Sequence, residues 1–150
     1  MHGNGKVAVL VEVNTETDFA AKNDILKELG KNLAMQVAAS KPLYVRREEV
    51  PEDVLNKERE ILKAQAVNEG KPEHIAEKMV NGRIEKYYKE NCLMEQAYIK
   101  DPDKDITQLV NETITVIGEN ISVRRFTRYE VGEGMEKKEE NFAEEVQKQI

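Results

Sequence analysis

Apolar residues occupy every second position near the start of the chain: Val7, Val9, Val11 and Val13, with Ala8, Leu10 and Glu12 between them. That alternation predicts a strand over residues 7–13, covered on most of both faces because two of the three intervening residues are also apolar. The period then changes. Phe19, Ile25, Leu26, Leu29, Leu33 and Val37 recur at helical spacing, so one long helix is expected from Thr17 to about Ser40, where Pro42 stops it. Further on, Leu55, Glu58, Leu62 and Ala66 make a narrow stripe on a charged helix. Ile75, Ala76, Met79, Val80, Ile84, Tyr87 and Tyr88 lie on a second helix. Gly70 and Pro72 between them supply a helix end and a helix start. So tight a turn makes the two helices antiparallel. With 1.5 Å of rise per residue, each arm is roughly 25–30 Å long. Narrow stripes bury little, so the pair is expected to project as a hairpin.

Past Cys92, residues 100–104 (Lys-Asp-Pro-Asp-Lys) read as a loop. Residues 105–118 read as a helix with Ile106, Leu109, Val110, Thr113 and Ile117 on one side. Alternation returns over 121–131. It places Ile121, Val123, Tyr129 and Val131 on one face, and Ser122, Arg124, Phe126 and Arg128 on the other. The tail, 135–150, carries a weak apolar stripe of Phe142, Val146 and Ile150. Gly3 and Gly5 look like the end of a hairpin turn with no earlier strand before it, so the first strand is expected to lack its partner. An unpaired edge invites self-association.

Composition narrows the functions. The 150 residues are one domain's worth of chain, and 39% hydrophobic against 35% charged residues leaves a small core. Aromatic residues are 5% and Trp is absent, which argues against a large aromatic pocket. A net charge of −6 argues against non-specific duplex binding. The single Cys92 excludes an internal disulfide and fits a reducing compartment. No apolar run approaches about 18 residues and no signal peptide opens the chain, so a soluble cytoplasmic protein is expected, with no membrane partner. His2, His74 and one thiol do not make a metal site. Gly3-Asn4-Gly5 lacks the further glycine and helix start of a dinucleotide motif, and there is no P-loop. No nucleophile–base pair stands out. Neither an enzyme nor a cofactor is expected.

Three constellations remain, each with two readings. Thr17-Asp18-Phe19 sits at a strand-to-helix junction. There Thr17 or Asp18 caps free amides while Phe19 either packs downward as the first core residue or stands out as a wedge for another protein. Arg124, Arg125 and Arg128, with Phe126 and Tyr129 between them, suit either an RNA-stacking platform or a sheet face whose arginines pair with carboxylates. The acidic balance favours the second, and no direct nucleic-acid partner is expected. The helical hairpin serves as a structural arm, a dimerisation element or a partner-binding arm.

Four blocks resemble those of bacterial translation elongation factor Ts, the family that exchanges nucleotide on elongation factor Tu. V-L-V-E-V-N-T-E-T-D-F-A-A-K-N-D over 9–24 looks like the family signature, usually written T-D-F-V-A. K-E-R-E-I-L-K-A-Q-A-V-N-E-G-K-P over 57–72 is similar to its first arm helix and turn. K-D-P-D-K over 100–104 and G-E-N-I-S-V-R-R-F-T-R-Y-E-V-G-E-G over 118–134 resemble later signatures. The resemblance implies an α+β fold: a small antiparallel sheet covered by helices, with a projecting antiparallel helical pair. Residues 1–52 and 93–134 would then be the core, 53–92 an inserted coiled-coil arm, and 135–150 a tail helix.

The resemblance also implies a mechanism without covalent catalysis. In the family, the Asp and Phe of T-D-F approach the GTPase beside its nucleotide and magnesium, and the Phe wedges between partner side chains so that GDP leaves. Those roles fall on Asp18 and Phe19, with Thr17 shaping the helix start and Ala20 standing where Val is usual. Burying one Phe is worth roughly 2–3 kcal/mol, about two powers of ten, so a larger effect needs further contacts. Arg124, Arg125 and Phe126 on the last strand, and Phe142 and Val146 on the tail, are the candidates, since similar family tails dock on the GTPase. The family's N-terminal helical module, which resembles a ubiquitin-associated domain, is missing, so the chain reads as a truncated product with Met1 as an introduced start. One T-D-F block and one arm resemble the short, homodimeric members. A dimeric helical scaffold and an RNA-binding module are the alternatives from other classes.

Overall fold

Residues 1 and 3–135 are described by the computed structural model, and the structure below refers to them. The first strand, β1 (Val7–Thr15), follows a tight turn in which Gly3, Asn4 and Gly5 all have positive φ. It does have a partner. β4 (Ile121–Glu130) lies antiparallel to it from Val7↔Glu130 to Thr15↔Ile121. Among the described residues no strand lies on the other edge of β1. The register shifts at Glu12/Val13, where Glu12 faces Arg125 but Val13 faces Val123. Arg124 is therefore an extra residue, a β-bulge, and the strand turns over at that point.

The bulge corrects the expected faces of β4. Ile121 and Val123 are buried as the alternation required. Beyond Arg124 the pattern inverts: Phe126 packs on the core and the Arg128 side chain is 11% exposed, while Tyr129 and Val131 point to solvent.

The expected long helix is two helices. A single turn, α1 (Asp18–Ala21), ends at Lys22, and α2 (Asp24–Ser40) starts afresh from Asn23, whose side chain accepts the Ile25 N–H at 2.8 Å. A second capping residue thus interrupts what periodicity alone joins. α2 ends at a left-handed Lys41, just ahead of Pro42. Leu26, Leu29, Leu33 and Val37 on α2 meet Ile106 and Val110 of α5 (Ile106–Ile117), together with Val45, Leu93, Tyr98, Ile121 and Val123, in the main core. α5 is capped by a reciprocal Asp105–Gln108 box and ends at Gly118 with φ +80°.

α3 (Glu52–Asn68) and α4 (Glu73–Asn91) turn on Gly70, φ +73°, and pack along Leu55, Leu62 and Ala66 against Ala76, Val80 and Ile84. A second, smaller core of Val50, Leu55, Val80, Ile84 and Cys92 seals the base of the pair. Residues 100–104, expected as a loop, are mostly strand. β3 (Asp101–Asp105) pairs antiparallel with β2 (Ala97–Tyr98), a pairing tolerant of Pro102 because each strand of a two-stranded ribbon is an edge strand. The fold is α+β, two small antiparallel ribbons flanked by helices.

Candidate functional site

The T-D-F turn is built from its backbone upward. Thr17 is extended, with φ −131° and ψ 156°, and its Oγ1 accepts the Ala20 N–H at 3.3 Å as the cap of α1. The Thr15 hydroxyl donates to the Thr17 carbonyl at 2.9 Å, fixing the chain as it leaves β1. The N–H groups of Ala21 and Lys22 return to Thr17 O and Asp18 O, closing the turn. A second strut comes from far along the sequence. The Glu119 carboxylate accepts the Thr17 N–H at 3.0 Å and the Thr17 hydroxyl at 2.7 Å, across 102 residues. Next to it, the Asn120 N–H donates to Glu16 Oε1 at 3.4 Å.

On this turn the side chains divide by direction. Phe19 is 89% exposed, whereas Ala20 beside it is 5% exposed and faces the body. The reading of Phe19 as the first core residue is therefore corrected: Ala20 takes the inward position, and the ring is left outside. Asp18 is also exposed, in the first turn of α1, where a carboxylate is favoured by the free amides. Thr17, Asp18 and Phe19 thus form one outward ridge, and Ala20 supports it from beneath.

The other sequence candidates separate. Arg124 and Arg125, both outward at the bulge, pair with the single Glu12 carboxylate at 3.4 and 3.2 Å. A hydrogen bond from Asn14, and then the two arginines, hold that carboxyl below the ordinary range. Phe126 and Arg128 face inward instead, and Arg128 donates to Glu130 Oε2 and the Ala38 carbonyl. One outward platform of Arg124, Phe126 and Arg128 is thereby broken up. Phe126 is half-buried and packs against the core, on the face opposite Arg125. Phe142, Val146 and the expected tail helix lie outside the described residues, as does His2. Among the described residues, no three or more of His, Cys, Asp and Glu gather as a metal ion requires, and no helix is long and apolar enough to cross a membrane.

Sequence reasoning missed Glu119. Its only local signal is its place directly after the helix-ending Gly118, and nothing in spacing links it to Thr17.

The family described as "Elongation factor TS" matches residues 1–133. Over all 150 residues the chain is 65% identical to elongation factor Ts of Acetivibrio thermocellus, covering 70% of that protein. It is 63% identical to that of Alkaliphilus oremlandii and 61% to that of Desulforamulus reducens, again over 150 residues and covering 69% of each. With the four sequence blocks falling on the strands, turn and arm just described, and these identities running from end to end, the chain belongs to the elongation factor Ts family.

Proposed function

We propose that the chain promotes GDP release from elongation factor Tu by inserting Phe19 beside the partner's nucleotide and magnesium site, with Asp18 at the ridge and Thr17 holding its shape. Nucleotide exchange on elongation factor Tu is the defining activity of the family, and its members are exchange factors rather than enzymes. The observation that supports the wedge is the 89% exposure of a Phe ring on a capped turn. An aromatic ring left exposed on its own molecule gains by burial elsewhere, and burying it is worth roughly 2–3 kcal/mol. Arg124 and Arg125, outward on the bulge, suit secondary contacts to the same GTPase. A role in translation supports a cytoplasmic location. The outer face of the β1–β4 ribbon, with Leu10, Tyr129 and Val131 exposed, supports the reading as a homodimer.

Exchange is a coupling between two ligands of the GTPase, so the factor must bind the empty form better than the GDP form by the factor through which GDP weakens it. Titrating the chain against nucleotide-free and GDP-loaded elongation factor Tu tests this. The wild type should prefer the empty form, and Phe19→Ala should narrow the preference by roughly thirty- to a hundred-fold. A preference unchanged in Phe19→Ala would move the coupling to other contacts.

A further inference from the structure

We propose that Glu119 is a positioning residue for exchange, a clamp that fixes the angle at which Phe19 leaves the molecule. The inference rests on the wedge reading above and goes beyond it to a residue 102 positions away in the sequence.

The need for a clamp follows from the break between α1 and α2. A four-residue helix is too short to hold itself, because nucleating a turn fixes several dihedrals for one hydrogen bond. Phe19 makes up little of the deficit, since it is 89% exposed among the described residues. The direction of the ring is therefore set by the backbone at Thr17 and by the buried Ala20 beneath.

Glu119 supplies what the short turn lacks. Both carboxylate oxygens are used on one residue: Oε1 takes the Thr17 N–H and Oε2 the Thr17 hydroxyl. Hydrogen bonds to an ionised acceptor are stronger than neutral ones. Because the hydroxyl hydrogen is committed to Glu119, a lone pair of Oγ1 is left for the Ala20 N–H, so the clamp also orients the cap. The clamp is anchored. Glu119 directly follows Gly118, the end of α5, and α5 is rooted in the main core through Ile106 and Val110. The Asn120 to Glu16 bond ties the same two segments a second time. Rigidity of the core thus reaches an exposed ring through one carboxylate.

A wedge displaced by about 1 Å loses much of its effect, so removing the clamp is expected to slow GDP release on the order of tenfold. The test is stopped-flow release of a fluorescent GDP from elongation factor Tu, driven by four proteins: wild type, Glu119→Ala, Phe19→Ala and the double variant. Glu119→Ala should be slow, and the double variant no slower than Phe19→Ala, because a clamp has nothing to aim once the ring is gone. Glu119→Gln keeps one acceptor and should fall between wild type and Glu119→Ala, giving a milder probe should the alanine variant unfold. The chain has no Trp, so Phe19→Trp places a single reporter on the ridge. Adding Glu119→Ala should lower its fluorescence anisotropy while circular dichroism stays the same.

Wild-type rates in Glu119→Ala and Glu119→Gln with a slow Phe19→Ala would overturn the clamp and leave the wedge standing. Slowing that multiplies in the double variant would overturn it too, since Glu119 would then act apart from Phe19. A Phe19→Ala variant as fast as wild type removes the wedge, and the clamp falls with it.

Discussion

Phe19 and Ala20 are neighbours on one helical turn, yet the first meets solvent and the second the body of the molecule. The exposure of the ring follows from the caps on either side of it: Thr17 opens α1 and Asn23 opens α2 afresh, so the turn does not share the apolar face of α2. Cys92 shows the opposite environment. It is fully buried at the base of the α3–α4 pair, where desolvation pushes its thiol up to about 11. An acid whose folded pKa is raised contributes stability that is complete below its ordinary value near 9 and is lost as pH climbs from there to about 11. The stability advantage of wild type over Cys92→Ala in urea titrations should therefore shrink by up to about 2 kcal/mol between pH 8 and pH 11. A constant difference across that range would mean the thiol is not held in an apolar setting. The T-D-F block singled out Asp18 and Phe19 in the sequence. The outward direction of the ring was not legible there, because helical spacing carried straight through Asn23, whose capping role competes with it.

Elements whose ends carry explicit chemistry were read closely. α5 with its Asp105–Gln108 box and Gly118, and the α3–α4 turn on Gly70 and Pro72, fall within a residue or two of expectation. The β-bulge at Arg124 escaped, because an inserted residue leaves apolar alternation intact on each side and only reverses it. The β2–β3 ribbon escaped for a different reason. Its Asp-Pro-Asp-Lys-Asp has little strand propensity, and part of its support comes from another element. Gln36 on α2 is fully buried, donates to the Gln96 side chain and the Ala97 carbonyl, and accepts the Ile99 N–H at 3.0 Å. Gln36→Leu should keep the helix but strand those groups, lowering the urea-derived stability by about 1–3 kcal/mol. A neutral result would show that water replaces the amide.

At the scale of the molecule, two apolar clusters meet near residues 92–93, where Leu93 belongs to the main core and Cys92 to the base of the helical pair. Arg47 joins them on the surface. Its guanidinium binds Glu95 and Glu85 and lies 4.4 Å over the Tyr88 ring, and those two carboxylates hold it firmly protonated. Bidentate pairing and stacking make such an arginine more than an ordinary surface charge. Arg47→Ala should raise amide exchange over residues 85–95 while leaving α2 and α5 protected, at a cost of about 1–2 kcal/mol. Uniform loss of protection would instead make the pair and the body one cooperative unit. The sequence displayed the narrow stripes of both helices; it did not display the fastening, which depends on residues 38 and 48 positions apart.

The rate of fluorescent-GDP release from elongation factor Tu reads most directly whether the exposed Phe19 ring acts on the partner. Phe19→Ala, with circular dichroism and thermal midpoint matching wild type, should slow release by roughly thirty- to a hundred-fold at saturating factor. Release at the wild-type rate from a folded Phe19→Ala protein would contradict that action.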